Sequence, residues 1–341
     1  MHQAPHPPLP SHTPITVVYR GGHPELVHCG SVAVVNTQGQ LLASAGDTSA
    51  FMFTRSALKP FQAMPLIARF ADHYRLSDAD VALLCASHNG EPAHTERVAQ
   101  LLARAGASES SLACGSHLPY FYSTNGIVPE PGRAFGRLHH NCSGKHTGML
   151  LLAHALGESP QGYLDSTHPV QQAIANCVSC FTGVPVSELV RGTDGCSAPN
   201  YAVPLPALAH AFAQLTLPTP HPVYGEAPQR IARAMAAHPE MVSGQGRNDL
   251  ALTRAGRGDW VCKVGADGVQ AIASRSRGVA MVAKVGDGNL KALMVAVIGV
   301  LEQLGWLDDE GRQALADWLP TPMKNAAGHE VGHMAAVLQL A

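Results

Sequence analysis

The chain has 341 residues, of which 46% are hydrophobic and 14% are charged, a composition that excludes a disordered or fibrous protein. Its 23 lysine and arginine residues nearly balance its 25 aspartate and glutamate residues. Because no run of basic residues interrupts this balance, we expect no nucleic acid partner. The length allows one large domain or two smaller ones.

The N-terminal segment is rich in proline and histidine and has neither a basic start nor an apolar stretch, so it does not resemble a secretory signal. The longest apolar run, residues 292–301, is too short to cross a bilayer. We expect residues 1–15 to form a flexible tail, residues 16–341 to form a single domain, and the protein to be cytoplasmic. Its eight cysteines are then expected to be thiols.

Hydrophobic periodicity predicts the secondary structure in chain order. A β-hairpin is predicted over residues 31–36 and 40–44, followed by helices over 58–70 and 92–105. The middle of the chain is predicted to be helical, with helices over 147–156, 170–180, 205–215 and 229–237. Strands over 259–264, 269–273 and 278–285 precede a last helix over 290–304. This order predicts an α+β fold in which strands from both ends share one antiparallel sheet flanked by helices.

Lysine is scarce, with only six lysines among the 23 basic residues. Arginine does not deprotonate in proteins, so a lysine retained against this bias is a candidate for a neutral amine that acts as a base or a metal ligand. Lys59 belongs to the pattern Ser56-Ala57-Leu58-Lys59, which places a hydroxyl and an amine one helical turn apart. A serine beside a lysine of lowered pKa can act as a nucleophile. The alternative for this pattern is a capping serine with a solvated lysine.

Two further motifs support the catalytic interpretation. Penicillin-recognising enzymes combine Ser-x-x-Lys with a Ser-x-Asn loop and a Lys-x-Gly strand, in that order. The chain has Ser87-His88-Asn89 and Lys263-Val264-Gly265 in the same order. On a strand, the side chain of Lys263 points away from the face that carries Cys262 and Val264. Chance occurrence of three short motifs remains the alternative.

Cys142 and Cys196 each lie in a polar, glycine-containing segment, which is typical of thiolate ligands to zinc. A nitrogen ligand could come from one of four nearby residues: His139, His140, Lys145 or His146. The alternative is a pair of ordinary thiols. Cys177 and Cys180 lie on a predicted apolar helix, where packing is the simpler interpretation.

Taken together, these segments resemble the bacterial L-asparaginases of the Rhizobium etli type, also called asparaginase II. The resemblance covers most of the chain and is carried by Tyr19-Arg20-Gly21, by His28, and by residues 55–62, 86–91, 140–146, 192–196 and 263–268. It implies a homodimer with a fold similar to serine β-lactamases, and hydrolysis of L-asparagine to aspartate and ammonia. Asn89 and Val264 depart from the family's pattern and bear on substrate preference.

The resemblance also implies roles for individual residues. Ser56 with Lys59 and Ser87 with Lys263 would form two Ser-Lys tandems, with Ser56 as the nucleophile of an acyl-enzyme mechanism. Zinc would be held by Cys142, Lys145 and Cys196, and would organise the substrate more than perform the chemistry.

Candidates for binding the α-carboxylate and α-amine of the substrate are Arg55 and Asp194, and His139 is a further substrate-binding candidate. The alternatives are a serine-dependent glutaminase, a penicillin-type acyl-enzyme, and a non-catalytic protein that binds zinc or an amino acid on the same scaffold.

Overall fold

The computed structural model describes residues 8–341, and an antiparallel sheet of eight strands lies at its centre. The strands are β1 (Thr13–Arg20), β2 (His23–Asn36), β3 (Leu41–Ala45), β4 (Phe51–Phe53), β5 (Val190–Thr193), β6 (Pro199–Pro204), β7 (Trp260–Gly265), β8 (Val269–Ser274), β9 (Val279–Val285), β10 (Met323–Lys324) and β11 (Glu330–Ala336). The large sheet has the order β10-β11-β1-β2-β9-β8-β7, with β3 also paired to β2, and a small sheet has the order β4-β6-β5. Strands from both ends of the chain therefore share one sheet, which confirms the predicted α+β class.

Most helices lie between β4 and β7 in the sequence. They are α1 (Lys59–Phe70), α2 (Asp78–Leu84), α3 (Pro92–Arg104), α4 (Tyr120–Asn125), α5 (Ser143–Leu156), α6 (Pro169–Thr182), α7 (Leu205–Gln214), α8 (Ala227–Ala237), α9 (Pro239–Val242), α10 (Asn248–Ala255), α11 (Leu290–Gln303) and α12 (Asp309–Ala314). The predicted hairpin, the helical middle and the C-terminal strands are all confirmed. Over residues 8–341, no helix combines the length and apolar character needed to cross a membrane.

Both faces of the large sheet are buried, because side chains alternate between two cores. On β7, Val261 faces the core formed with the middle helices, whereas Cys262 faces the core formed with α11. Within the first core, the ring of Phe61 on α1 lies 5.2 Å from that of Phe181 and 5.5 Å from that of Phe212. This packing fixes α1, and with it the segment that carries Ser56, against α6 and α7.

Two predicted boundaries need correction. Strand β1 begins at Thr13, so residues 13–15 are not part of a tail; Ile15 is fully buried there, because β1 pairs with both β2 and β11. Residues 1–7 of the predicted tail lie outside the described residues. Helix α5 begins at Ser143 rather than at Thr147. Its first turn is polar yet buried, so hydrophobic periodicity could not detect it.

Candidate active site

Ser56 lies in a tight 3-10 turn, Arg55–Leu58, that leads from β4 into α1. Arg55 adopts a φ of 48°, a left-handed conformation that is strained for a non-glycine residue and is common at functional sites. The preceding Thr54 anchors the turn, since its hydroxyl donates to the carbonyl oxygen of Tyr201 at 2.9 Å. The turn thereby holds Ser56 at the start of α1, as the Ser-x-x-Lys spacing predicts.

Lys59 is fully buried and turns toward Ser87. Its Nζ donates to the Ala86 carbonyl oxygen at 2.6 Å and to Ser87 Oγ at 2.9 Å. The Ser56 hydroxyl, in contrast, has no hydrogen-bond partner within residues 8–341. The expected hydrogen bond between Ser56 and Lys59 is therefore not formed. A buried amine must direct its N–H groups to acceptors, and the carbonyl of Ala86 supplies one. Burial lowers the pKa of Lys59, which favours the neutral amine.

Lys263 is the second lysine that contacts Ser87. Its Nζ donates to Ser87 Oγ at 3.0 Å and to the Val264 carbonyl oxygen at 2.8 Å. Burial lowers the pKa of Lys263 to about 8, although the nearby Asp249 carboxylate opposes the shift. The structure thus brings the Ser87–Lys263 pair together as the resemblance implies, with an amine that can exchange a proton near neutral pH.

Ser87 consequently joins the two lysines. Its loop, between α2 and α3, is fixed because the Ser87 backbone N–H donates to the Val242 carbonyl oxygen at 2.8 Å and the Asn89 N–H donates to the Ser243 carbonyl oxygen at 2.7 Å. The resulting chain of polar groups, Lys59–Ser87–Lys263, is buried throughout. Such a chain can move a proton between two amines through one hydroxyl.

Asp249 is a site residue that the sequence does not reveal. It is fully buried, and its carboxylate accepts hydrogen bonds from the backbone N–H of Val264 at 3.0 Å and from Gln270 Nε2 at 3.1 Å. The same carboxylate lies 3.4 Å from Lys263 Nζ. No motif connects Asp249 with Lys263, because α10 and β7 meet through packing.

Cys142, Lys145 and Cys196 come together as the resemblance implies. Cys142 is the residue before the first turn of α5, and Lys145 lies in that turn. Cys196 lies in the turn between β5 and β6. Lys145 Nζ donates to Cys196 Sγ at 2.9 Å. The interaction between the two thiol groups raises the pKa of Cys142 and lowers that of Cys196. Burial would lower the pKa of Lys145, but the two sulfurs and Asp194 raise it.

These three donors fit a zinc ion by type, because zinc takes sulfur and nitrogen ligands. Lysine must lose its proton to bind metal, which makes the affinity depend on pH. Within residues 8–341, no group of three or more His, Cys, Asp or Glu side chains is arranged to hold a metal, so the set depends on the amine of Lys145. The buried Nε2 of the adjacent His146 has no hydrogen-bond partner in the described part of the chain.

Arg55 and Asp194 are brought together, but as partners of each other. Arg55 Nε donates to Asp194 Oδ1 at 2.9 Å, and a second nitrogen of Arg55 pairs with Asp267. Asp194 Oδ2 lies 3.7 Å from Cys196 Sγ. The pair therefore connects the Ser56 turn with the cysteine cluster, and two carboxylates already neutralise the Arg55 charge.

His139 forms no hydrogen bond with the serines, lysines or cysteines of the site within residues 8–341, and its role in substrate binding stays a prediction. Its ring packs against Phe135 with 5.4 Å between ring centroids, and over residues 8–341 its buried Nδ1 has no hydrogen-bond partner. The neighbouring His140 lies beside the cysteines instead, where its Nδ1 accepts from the Cys142 backbone N–H at 3.0 Å. Burial lowers the pKa of His140 to about 3, so its ring is neutral.

Comparison with known families now decides the identity of the chain. A family model described as L-asparaginase II matches residues 16–336. The chain belongs to the L-asparaginase II family. No curated protein matches the chain.

Solved structures with similar folds include a protein described as Mglu in its native form, at 16% sequence identity and a TM-score of 0.46. That alignment covers 82% of this chain and 65% of the other, so the chain spans less than two thirds of Mglu. A β-lactamase from Mycobacterium bovis has 17% identity and a TM-score of 0.39, with 85% and 94% of the two chains covered. A D-alanine carboxypeptidase from Burkholderia cenocepacia has 13% identity and a TM-score of 0.36, with 85% and 92% covered.

Proposed function

We propose that this protein hydrolyses L-asparagine to L-aspartate and ammonia through an acyl-enzyme formed on Ser56. The observation that carries the proposal is the buried chain Lys59–Ser87–Lys263, which begins one helical turn from Ser56. Membership in the L-asparaginase II family supports the reaction class. The likeness to the Rhizobium etli type, a cytoplasmic location and a homodimer remain predictions.

In the proposed first step, Ser56 Oγ attacks the carbon of the substrate side-chain amide. Lys59, which hydrogen-bonds to Ser87 in this structure, would turn toward Ser56 and accept the hydroxyl proton. The lowered pKa of buried Lys59 provides the neutral amine that this transfer needs. Backbone N–H groups near Ser56 would stabilise the oxyanion of the tetrahedral intermediate. The carbon–nitrogen bond then breaks and ammonia leaves with a proton from Lys59. Water hydrolyses the β-aspartyl ester and regenerates Ser56.

Ser87 and Lys263 would relay protons to and from Lys59 in this scheme. Ser87 Oγ lies within 2.9 Å of Lys59 Nζ and 3.0 Å of Lys263 Nζ, so one hydroxyl can pass a proton from one amine to the other. The exchanged assignment, with Ser87 as the nucleophile and Lys263 as its base, uses the same groups. Trapping the acyl-enzyme with a slow substrate and sequencing the labelled peptide would identify the serine.

Asp194 is proposed to bind the α-ammonium group of the substrate. Arg55 would orient Asp194 through its 2.9 Å hydrogen bond rather than bind the substrate by itself. A zinc ion held by Cys142, Lys145 and Cys196 would add positive charge that orients the substrate at this end of the site. It would support binding, whereas the two serines and two lysines perform the chemistry.

Three assays test the proposal: ammonia release from L-asparagine, ammonia release from L-glutamine, and hydrolysis of nitrocefin, each with and without a chelator. We expect L-asparagine to be turned over fastest and nitrocefin not at all. Faster release from L-glutamine would make the protein a glutaminase. Binding of L-asparagine without ammonia release would make it an amino-acid-binding protein on the same scaffold.

A further inference from the structure

Arg247 lies beside the Ser87 loop, in a position that the catalytic scheme does not use. It precedes α10, the helix whose Asp249 pairs with Lys263. Its Nη1 donates to Asn89 Oδ1 at 3.2 Å, and Asn89 is two residues from Ser87. Its guanidinium also stacks on Tyr120, with 4.9 Å between Cζ and the ring centroid. The arginine is thus held in place beside the loop that carries Ser87.

The neighbourhood of Tyr120 connects Arg247 with the substrate end of the site. Burial raises the pKa of Tyr120, while the charges of Arg247, Asp194 and Arg55 also act on this phenol. The ring of Tyr120 also lies 5.0 Å from that of His117, whose Nε2 lies 3.1 Å from Asn141 Oδ1. Asn141 precedes Cys142, so Tyr120 links Arg247 with the segment that carries the cysteine cluster.

The charge of Arg247 is available to a ligand, unlike that of Arg55. Within residues 8–341, Arg247 forms no ion pair with a carboxylate, and its hydrogen bond to Asn89 is with a neutral amide. Arginine has five N–H donors in a fixed fork, and a single one is used within this part of the chain. Arg55, in contrast, already pairs with Asp194 and Asp267.

We infer that Arg247 binds the carboxylate of the substrate and restricts the enzyme to small amides that carry a free carboxylate. This inference rests on the proposed function and extends it to substrate class. A carboxylate suits the unused edge of the guanidinium, which can donate two parallel hydrogen bonds to it. Stacking on Tyr120 and the bond to Asn89 keep the guanidinium plane in one orientation. Asn89, which departs from the family's pattern, then contributes to substrate specificity by orienting Arg247.

The test compares L-asparagine with L-asparagine amide, in which a neutral amide replaces the α-carboxylate. Side-chain hydrolysis of the amide is followed as isoasparagine formation. Arg247→Gln should raise KM for L-asparagine by about 10- to 100-fold, the effect of losing charge-assisted hydrogen bonds, with a smaller change in kcat. The same variant should leave kcat/KM for the amide unchanged. Arg247→Lys should recover part of the loss, because it restores the charge without the fork.

Arg254→Gln is the matched control, because Arg254 is exposed on the same helix and should leave both substrates unaffected. An unchanged KM for L-asparagine in Arg247→Gln would overturn the inference. Equal losses for both substrates would also overturn it, since that outcome indicates a structural role.

Calorimetric titration with L-aspartate separates this inference from the proposed function, because binding of the product needs no turnover. If the wild-type protein binds L-aspartate and Arg247→Gln binds it at least tenfold more weakly, the inference holds even if no ammonia is released. Equal affinity in the two proteins, or no binding to either, would overturn it.

Discussion

Lys263 Nζ lies 3.4 Å from the Asp249 carboxylate, and both side chains are buried. The carboxylate stabilises the charged form of the amine, whereas burial disfavours that form. Burial has the larger effect, so the pKa of Lys263 falls to about 8. The Asp249 carboxylate keeps it from falling further. The pair therefore sets the pH range in which Lys263 changes its protonation state.

The first prediction concerns pH. If Lys263 acts as a neutral amine, kcat should rise with pH as Lys263 loses its proton, with a midpoint near its pKa of about 8. Asp249→Asn removes the group that raises this pKa, so the midpoint should move to lower pH. The measurement is the dependence of kcat on pH for both proteins, with thermal unfolding as a check on folding.

Asp317→Asn is the control for this experiment, because Asp317 is exposed and should leave the profile unchanged. A midpoint that moves to higher pH in Asp249→Asn would contradict the assigned electrostatics. Activity that peaks near pH 5 would instead indicate a carboxylate or histidine mechanism.

The second prediction concerns the nucleophile. Ser56→Ala should lower kcat by several orders of magnitude and leave the fold intact, because the small turn before α1 does not depend on the hydroxyl. Lys59→Arg should reduce kcat nearly as much, because it keeps the charge but removes the base. Both variants are assayed for ammonia release and checked by circular dichroism. Near-normal activity of Ser56→Ala would transfer the nucleophilic role to Ser87.

The third prediction concerns the metal. If zinc orients the substrate, a chelator should raise KM for L-asparagine while kcat falls little, and Cys142→Ser and Cys196→Ser should each have the same effect. Cys177→Ser is the control, because Cys177 is buried in the packing core of α6. Metal content is measured alongside kinetics. Stoichiometric zinc in the double cysteine variant would refute the ligand set, and a loss of kcat at constant KM would make zinc the catalyst.

The fourth prediction concerns the position of α5. A Cβ atom on Gly144 would lie 2.2 Å from the Leu83 carbonyl oxygen, so Gly144→Ala must push α5 away from the end of α2. We expect a loss of about 1–3 kcal/mol in the free energy of unfolding, the usual cost of overpacking. Gly195→Ala serves as the control, because a Cβ atom on Gly195 would have no atom of residues 8–341 within 4 Å beyond its chain neighbours. Equal stability of the two variants in urea denaturation would show that α5 can shift freely.

Local sequence patterns were sufficient to predict much of the fold. The alternation along β7, which sends Val261 to one core and Cys262 to the other, is a property of consecutive residues and can be recognised before folding. The three-residue spacing of Ser56 and Lys59 likewise predicts their common turn. The first turn of α5 was not predicted, because its polar side chains are buried in the site. A method that expects buried residues to be apolar does not recognise such a turn.

Long-range packing decided how the catalytic groups are paired. Lys59 hydrogen-bonds with Ser87 instead of Ser56 because the Ser87 loop is tied to residues 242–243 and brings its carbonyl and hydroxyl groups to the buried amine. Asp249 reaches Lys263, and Arg247 reaches Asn89, through the docking of α10 beside β7. No spacing in the chain encodes these contacts, because each joins segments whose distance is set by the way separate elements pack together.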